Sequence, residues 1–145
     1  MLSKKFAYAL RGLTFIALHG SMEKKISLQE LSDGIDVPHF FLGKIMQELV
    51  RNEIVSSVKG PGGGFWIADS ALNRSAFEIL KMIDPKVVAS NCLMGKKNCD
   101  HDRPCPLHAE YVACRNTLFD SLKETTLFNL AGKVEAGELF LDERK

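Results

Sequence analysis

From Phe6 the apolar positions return every three or four residues, at Phe6, Leu10, Leu13 and Ala17. That spacing predicts a helix capped by Ser3 and running to about His19, with Gly20 placed to stop it. Ser27-Leu-Gln-Glu30 is a capping box, so a second helix should begin at Leu28, and Gly34 should end it after about two turns. Ile35-Asp-Val37 makes a short turn. Pro38 then suits the first position of a third helix, which carries Phe41, Leu42, Ile45, Met46 and Leu49 on one side. Two helices, the first short, joined by a tight turn, form a helix-turn-helix pattern.

The periodicity then changes from helical to extended. Ile54 to Val58 and Phe65 to Ala68 are rich in strand-forming residues, and Lys59-Gly-Pro-Gly-Gly-Gly64 lies between them. A hairpin with an exposed, glycine-rich tip follows. A nucleotide-binding loop would need a helix after the glycines, and here a strand comes instead. A helix-turn-helix followed directly by a two-stranded wing is a winged helix. Past Asp69 a further helix is expected, for Ser75-Ala-Phe-Glu78 is another capping box and Ile79, Leu80 and Ile83 continue an apolar face up to Pro85.

Between Cys92 and His108 apolar patterning stops. The segment Cys92-Leu-Met-Gly-Lys-Lys-Asn-Cys99-Asp-His-Asp-Arg-Pro-Cys105-Pro-Leu-His108 has neither period and almost nothing to bury. A metal, an iron-sulfur cluster or a disulfide could order it. Helical spacing resumes at Cys105-Pro106 and runs to about Lys123, with a stripe of Leu107, Tyr111, Cys114, Leu118 and Leu122. Such a stripe packs on its own domain or, the sharper reading, on a second copy of the chain. Cys114 belongs to that stripe and is expected as a buried core thiol. A short helix is expected within residues 125–132, and the tail after it has no clear pattern.

Composition adds less. A chain of 145 residues with 46% hydrophobic and 26% charged residues fits one ordinary globular domain with an added oligomerisation element, and excludes disordered and fibrous classes. No continuous apolar run marks a membrane span or a cleaved leader, so a cytoplasmic protein with no membrane partner is expected. The net charge of +1 gives no global argument for nucleic acid. Residues 1–64 nevertheless hold 8 Lys+Arg against 6 Asp+Glu, while residues 109–145 hold 5 against 7. This places the weak positive bias in the winged-helix half. Lys4 and Lys5 in the first turn of a helix oppose its dipole, a placement that a phosphate would turn to advantage and that plain solvation also explains.

A reducing compartment argues against structural disulfides. If Pro106 is the first helical residue, Cys105 and His108 lie three apart on one turn, about 60° around the axis, and can point to one centre. Cys92 and Cys99 would come from the loop. This favours His108 over His101, which sits between two aspartates in mid-loop. Structural zinc remains a rival to iron-sulfur, although the close cysteine pairs usual for zinc are missing. No nucleophile, base and orienting group assemble, so neither an enzyme nor a small-molecule substrate is expected.

Three features, namely Val55-Ser-Ser-Val-Lys-Gly-Pro-Gly-Gly-Gly-Phe65, the helix pair from Leu28 to Leu49, and Cys92, Cys99, Cys105 with His108, together identify a likeness. The chain resembles, over nearly its whole length, the bacterial winged-helix family of iron-sulfur regulators that includes the Isc-operon regulator and the nitric-oxide-sensing repressor. The resemblance implies a homodimer with crossing long helices, a recognition helix in the major groove of a palindromic double-stranded operator, and a cluster that changes operator affinity. Carried over residue by residue, it implies DNA contacts from His39, Phe40, Gly43 and Lys44 on the recognition helix, from Lys59, Gly60, Pro61, Gly62 and Gly63 in the wing, and from Lys4, Lys5 and Ser27.

Nitric-oxide sensors of the family use a carboxylate before Tyr8, where this chain has Ala7. That departure favours His108 as fourth ligand and hence a Cys3His [2Fe-2S] cluster, with [4Fe-4S] the other form and loss during aerobic purification a known hazard of either. Gly43 stands where relatives can carry a base-reading side chain, so the operator sequence does not transfer. The expected layout is mainly α with a small β-hairpin wing: a winged helix-turn-helix domain over 1–84, a cluster loop over 85–108, a dimerisation helix region over 105–132 and a tail over 133–145. The rivals kept beside it are a cluster-free regulator based on thiols or zinc, and an electron-transfer or cluster-carrier protein.

Overall fold

The computed structural model describes residues 2–89, 92–138 and 141. Helix α1, Lys4–His19, is the centre of the molecule, touching α2 (Leu28–Ile35), α3 (His39–Arg51), α4 (Ala76–Ile83) and α7 (Leu127–Glu135). Its two ends follow the expected chemistry: Ser3 accepts a hydrogen bond from the Phe6 amide, and Gly20 closes the last turn with its amide on the Ile16 carbonyl. Because neighbours surround it, α1 buries more than a single stripe. Phe6, Ala9, Gly12, Leu13, Thr14 and Ile16 are all buried, whereas Leu10 and Ala17 are only half-buried.

Helices α2 and α3 form the helix-turn-helix. Ser27 accepts from the Glu30 amide and starts α2. Gly34 does not end it; α2 continues to Ile35 and is capped by Asp36 in the left-handed conformation. Gly34 instead makes room, since a Cβ there would fall inside the ring of Phe15. Pro38 stands just before α3 rather than at its first position. Leu42, Ile45, Met46 and Leu49 face the core, while Phe41 turns outward with 58% of its surface exposed.

The wing pairs β1 (Ser56–Val58) with β2 (Gly64–Trp66) antiparallel, Ser57 opposite Phe65. The strands are shorter than expected because Ile54 and Val55 are buried under α3's end and Ile67 in the core instead. Ile26 adds a third rung, exchanging both backbone hydrogen bonds with Phe65. At the tip Gly60 and Gly62 have φ of 93° and 73°, a region that disfavours side chains, and the Gly63 amide bonds the Gly60 carbonyl. The result is a tight turn with both strands' ends held close.

A single 3-10 turn, Asp69–Ala71, leads to α4, whose Ser75–Glu78 capping box is complete in both directions. Pro85 ends α4 and also begins a short α5, Pro85–Ala89. Helix α6, His108–Glu124, touches α4 near its C-terminal end, where Phe119 is buried with its ring 5.2 Å from that of Phe77. The segment after α6 is stitched to the start of α4 by the Ala76, Leu127 and Phe128 amides, which bond the carbonyls of Thr125, Arg74 and Leu72. Helix α7 then closes the same core with Leu127, and Leu130 packs against it.

Two expectations for α6 are corrected. It begins at His108, two residues later than the expected first helical residue Pro106, because Cys105 to His108 forms a turn closed by the His108 amide on the Cys105 carbonyl. Cys114 is exposed and not a core thiol; Phe119 is the one residue of α6 that the described chain buries. Among the described residues no helix is long and apolar enough to cross a membrane.

Candidate nucleic-acid interface and thiol-imidazole loop

The outer face of α3 carries His39, Phe40 and Lys44, all exposed, with Phe40 at 68%. With Phe41 beside it, 58% exposed, Phe40 makes an apolar pair open to water at the start of α3. The Lys44 ammonium lies 4.5 Å from the centre of the Phe40 ring, so the pair presents a cation steadied on an aromatic face. Gly43 lies deeper, where a Cβ would meet Leu28 of α2 at 3.4 Å. That is an ordinary van der Waals distance, so packing against α2 does not by itself demand glycine here.

Lys4, Lys5 and Lys44 line one cleft of about 420 Å³, between the first turn of α1 and the start of α3, with Tyr8, Pro38, Phe41 and Ile45 forming its apolar wall. No acidic residue occupies that first turn. The two lysines of α1 are not equivalent. Lys5 Nζ is 2.6 Å from Glu48 on α3 and donates to the Ile83 carbonyl at 3.2 Å, whereas Lys4 is exposed and makes no such tie among the described residues. Lys5 thus fastens α1 to α3 and to the end of α4. Tyr8, Pro38 and Phe41 were missed as part of this surface; their apolar type gave no signal, and only the outward turn of Phe41 reveals it.

Ser27 is committed to capping α2, and Lys59, Gly60, Pro61 and Gly62 are exposed at the wing tip with Gly63 partly covered. Nothing lies within 4 Å of the positions where Cβ atoms would stand on Gly60 and Gly62, so their backbone is open to close approach.

The thiol-bearing loop is organised differently. Cys92, Cys99 and Cys105 are half-buried and free of disulfides. Cys99 Sγ lies 3.0 Å from His108 Nδ1, at the first turn of α6. His108 Nε2 lies 3.0 Å from Nδ1 of His101, the two rings meeting edge to face at 4.7 Å. Asp100 holds this part of the loop by accepting from the amides of Asp102 and Arg103 at 2.9 and 3.2 Å. The structure therefore joins Cys99 to His108, and adds His101, which sequence reasoning had ranked below His108. Among the described residues, no three side chains of His, Cys, Asp or Glu converge to hold a metal ion. In kind the donors do fit one, for three thiols and an imidazole on a loop with few acidic competitors make a soft set suited to iron-sulfur or zinc.

The sequence profile of the Rrf2 family, described as an iron-dependent transcriptional regulator, matches residues 2–133. An HTH-type transcriptional regulator of Aquifex aeolicus is 30% identical over 135 residues, covering 92% of each chain. The HTH-type transcriptional regulator IscR of Pectobacterium carotovorum is 28% identical over 134 residues, covering 92% of this chain and 80% of that one. Among solved structures, CymR, the global cysteine regulator of B. subtilis, superposes with a TM-score of 0.73 at 20% identity, over 91% of this chain and 96% of that one.

Proposed function

The chain belongs to the Rrf2 family of transcriptional regulators, and from that premise we propose that it binds a palindromic operator as a cytoplasmic homodimer and adjusts its grip through a [2Fe-2S] cluster held by Cys92, Cys99, Cys105 and His108. The observation that carries the proposal is the contact of Cys99 Sγ with His108 Nδ1, which ties the loop to the first turn of α6.

On the DNA side, His39, Phe40 and Lys44 on the exposed face of α3 reach base edges and the neighbouring backbone. Lys59 and the amides of the wing tip lie along the groove edge, and Lys4 pairs with a phosphate near the N-terminus of α1. Two such units related by a twofold axis match the symmetry of a palindromic site. The partner surface proposed is α6, whose Tyr111, Leu118 and Leu122 are only half-buried and whose Cys114 is exposed.

When bound, the cluster supplies a tie among four donors that oxidants, nitric oxide or iron shortage can undo. The rest of the coupling lies in the chain itself. With the tie present, Cys99 and His108 hold the loop against α6. From α6 the path runs through Phe119 and Phe77 to α4, and from the Ile83 carbonyl through Lys5 to Glu48 on α3. Releasing the loop loosens that path and shifts α3, a coupling of about 1 to 3 kcal/mol.

The test is DNA affinity, read by fluorescence anisotropy on duplexes from the protein's own promoter region, for cluster-loaded and chelator-stripped protein. Salt-dependent binding that differs about 5- to 150-fold between the two forms is expected. Equal affinity in both forms would remove the sensing role while leaving the DNA-binding one.

A second reading, a cluster-free regulator that uses zinc or its thiols directly, rests on the fact that only Cys99 and His108 of the four donors touch. Metal analysis beside thiol titration separates the two readings. Membership of a regulator family sets aside the electron-transfer and cluster-carrier alternative.

A further inference from the structure

Both nitrogens of the His108 ring are engaged. Nδ1 faces the Cys99 thiol at 3.0 Å, and Nε2 faces Nδ1 of His101 at 3.0 Å. Two arrangements of protons satisfy both contacts, and the one that leaves His108 Nδ1 able to ligate has the Cys99 thiol donating to Nδ1 and His108 Nε2–H donating to His101 Nδ1. The lone pair of Nδ1 then points toward the sulfur. With the thiol proton given up to solvent, the Cys99 thiolate and His108 Nδ1 would be the donors offered to a metal from this side.

We propose that His101 is a positioning residue for His108. By accepting from Nε2–H it holds the imidazole with Nδ1 turned inward, so that Nδ1 and not Nε2 is the ligating nitrogen of the cluster. The inference rests on the cluster reading above and adds to it a residue outside the Cys3His set. Ligating histidines generally need such an acceptor on the far side of the ring, because it fixes both the tautomer and the ring's orientation. His101 is suited to this by its own support, as the turn built on Asp100 holds the backbone on either side of it. His101 is itself exposed, so its removal leaves the hydrophobic core untouched. Without it, among the described residues the Cys99 contact alone is left to orient the His108 ring.

The experiment uses full-length protein reconstituted anaerobically, as wild type, His101→Ala, His101→Gln and His108→Ala. Two properties are read: the rate at which visible absorption is lost to a chelator, and the nitrogen hyperfine couplings of the dithionite-reduced cluster by pulsed electron paramagnetic resonance. His101→Ala is expected to lose its cluster about tenfold faster than wild type and to show altered nitrogen couplings. His101→Gln keeps a carbonyl acceptor and should return both readings toward wild type, whereas His108→Ala should lose the nitrogen coupling altogether.

The proposal is overturned if His101→Ala matches wild type in both readings, or if His101→Gln behaves no better than His101→Ala. It is equally overturned if nitrogen coupling disappears in His101→Ala and survives in His108→Ala, for His101 would then be the ligand. Thermal melting of the cluster-free variants, expected to coincide, separates a local effect from unfolding. Wild-type protein that takes up no iron or sulfide would fail at the first step and contradict the cluster reading itself, an outcome distinct from any variant's behaviour.

Discussion

The winged-helix body and the loop that runs into α6 are ordered by different means. The body is held by apolar packing around α1: Ala9, Leu13, Ile16, Leu31, Leu42 and Leu49 have no exposed surface at all. The loop has almost none of that, for Leu93 and Met94 are 54% and 60% exposed and its internal ties are a turn on Asp100 and a thiol-imidazole-imidazole contact. A domain that spends its apolar residues on one half leaves the other half free to respond to a ligand. Regulation needs that contrast, since a loop fixed by hydrophobic burial would hold the same position whether or not its four donors were engaged.

Truncation separates the two halves most strongly. Leu13→Ala should cost about 2 to 5 kcal/mol in urea unfolding, because the surrounding helices cannot collapse into the space. Met94→Ala should stay within about 0.5 kcal/mol. Equal effects would mean that the loop is part of the core after all. Gly34→Ala comes next, at about 1 to 3 kcal/mol, since its methyl would enter the space of the Phe15 ring and force α1 and α2 apart.

Ser75→Ala should cost about 1 kcal/mol by removing the cap of α4. It also bears on pH. The Ser75 amide, and secondarily Arg74, hold the Glu78 carboxyl below the ordinary carboxylate value against the opposing effect of burial. A group depressed on folding stabilises at neutral pH, and that contribution is lost as pH falls through its folded value. Glu78→Gln should therefore flatten the acid limb of a stability-pH curve and leave the alkaline limb unchanged. Smallest in stability are Lys44→Ala and Lys59→Ala, which should each leave melting within the surface range of about 0.5 kcal/mol. If either lysine contacts a phosphate, its loss lowers the salt slope of DNA binding by about 1. An unchanged slope in both would move the DNA-facing surface elsewhere.

Much of the body was legible because its signals are local and redundant. Ser3, Ser27 and Ser75 each cap a helix where hydroxyl spacing placed one, and the glycine run between two β-rich segments made a wing. Gly34 misled because a helix stop and a close helix-helix contact ask for the same residue, and only the position of Phe15 tells them apart. Pro106 misled because proline starts turns as readily as helices, and the Cys105 carbonyl closed a turn first. Cys114 was misplaced because a stripe shows what is apolar and not what covers it. The proposed donor set Cys92, Cys99, Cys105 and His108 could be read from residue type and spacing, but the part proposed for His101 could not. Its role depends on a ring-to-ring contact seven residues away that no spacing rule contains.

The central claim is that four donors of this loop hold an iron-sulfur cluster, and the most direct measurement is the visible spectrum of anaerobically purified or reconstituted protein read with its iron and acid-labile sulfide content. The account predicts a brown protein with about two irons and two sulfides per chain, all lost when Cys92, Cys99 and Cys105 are replaced by serine. A colourless protein with neither iron nor sulfide after reconstitution would contradict it.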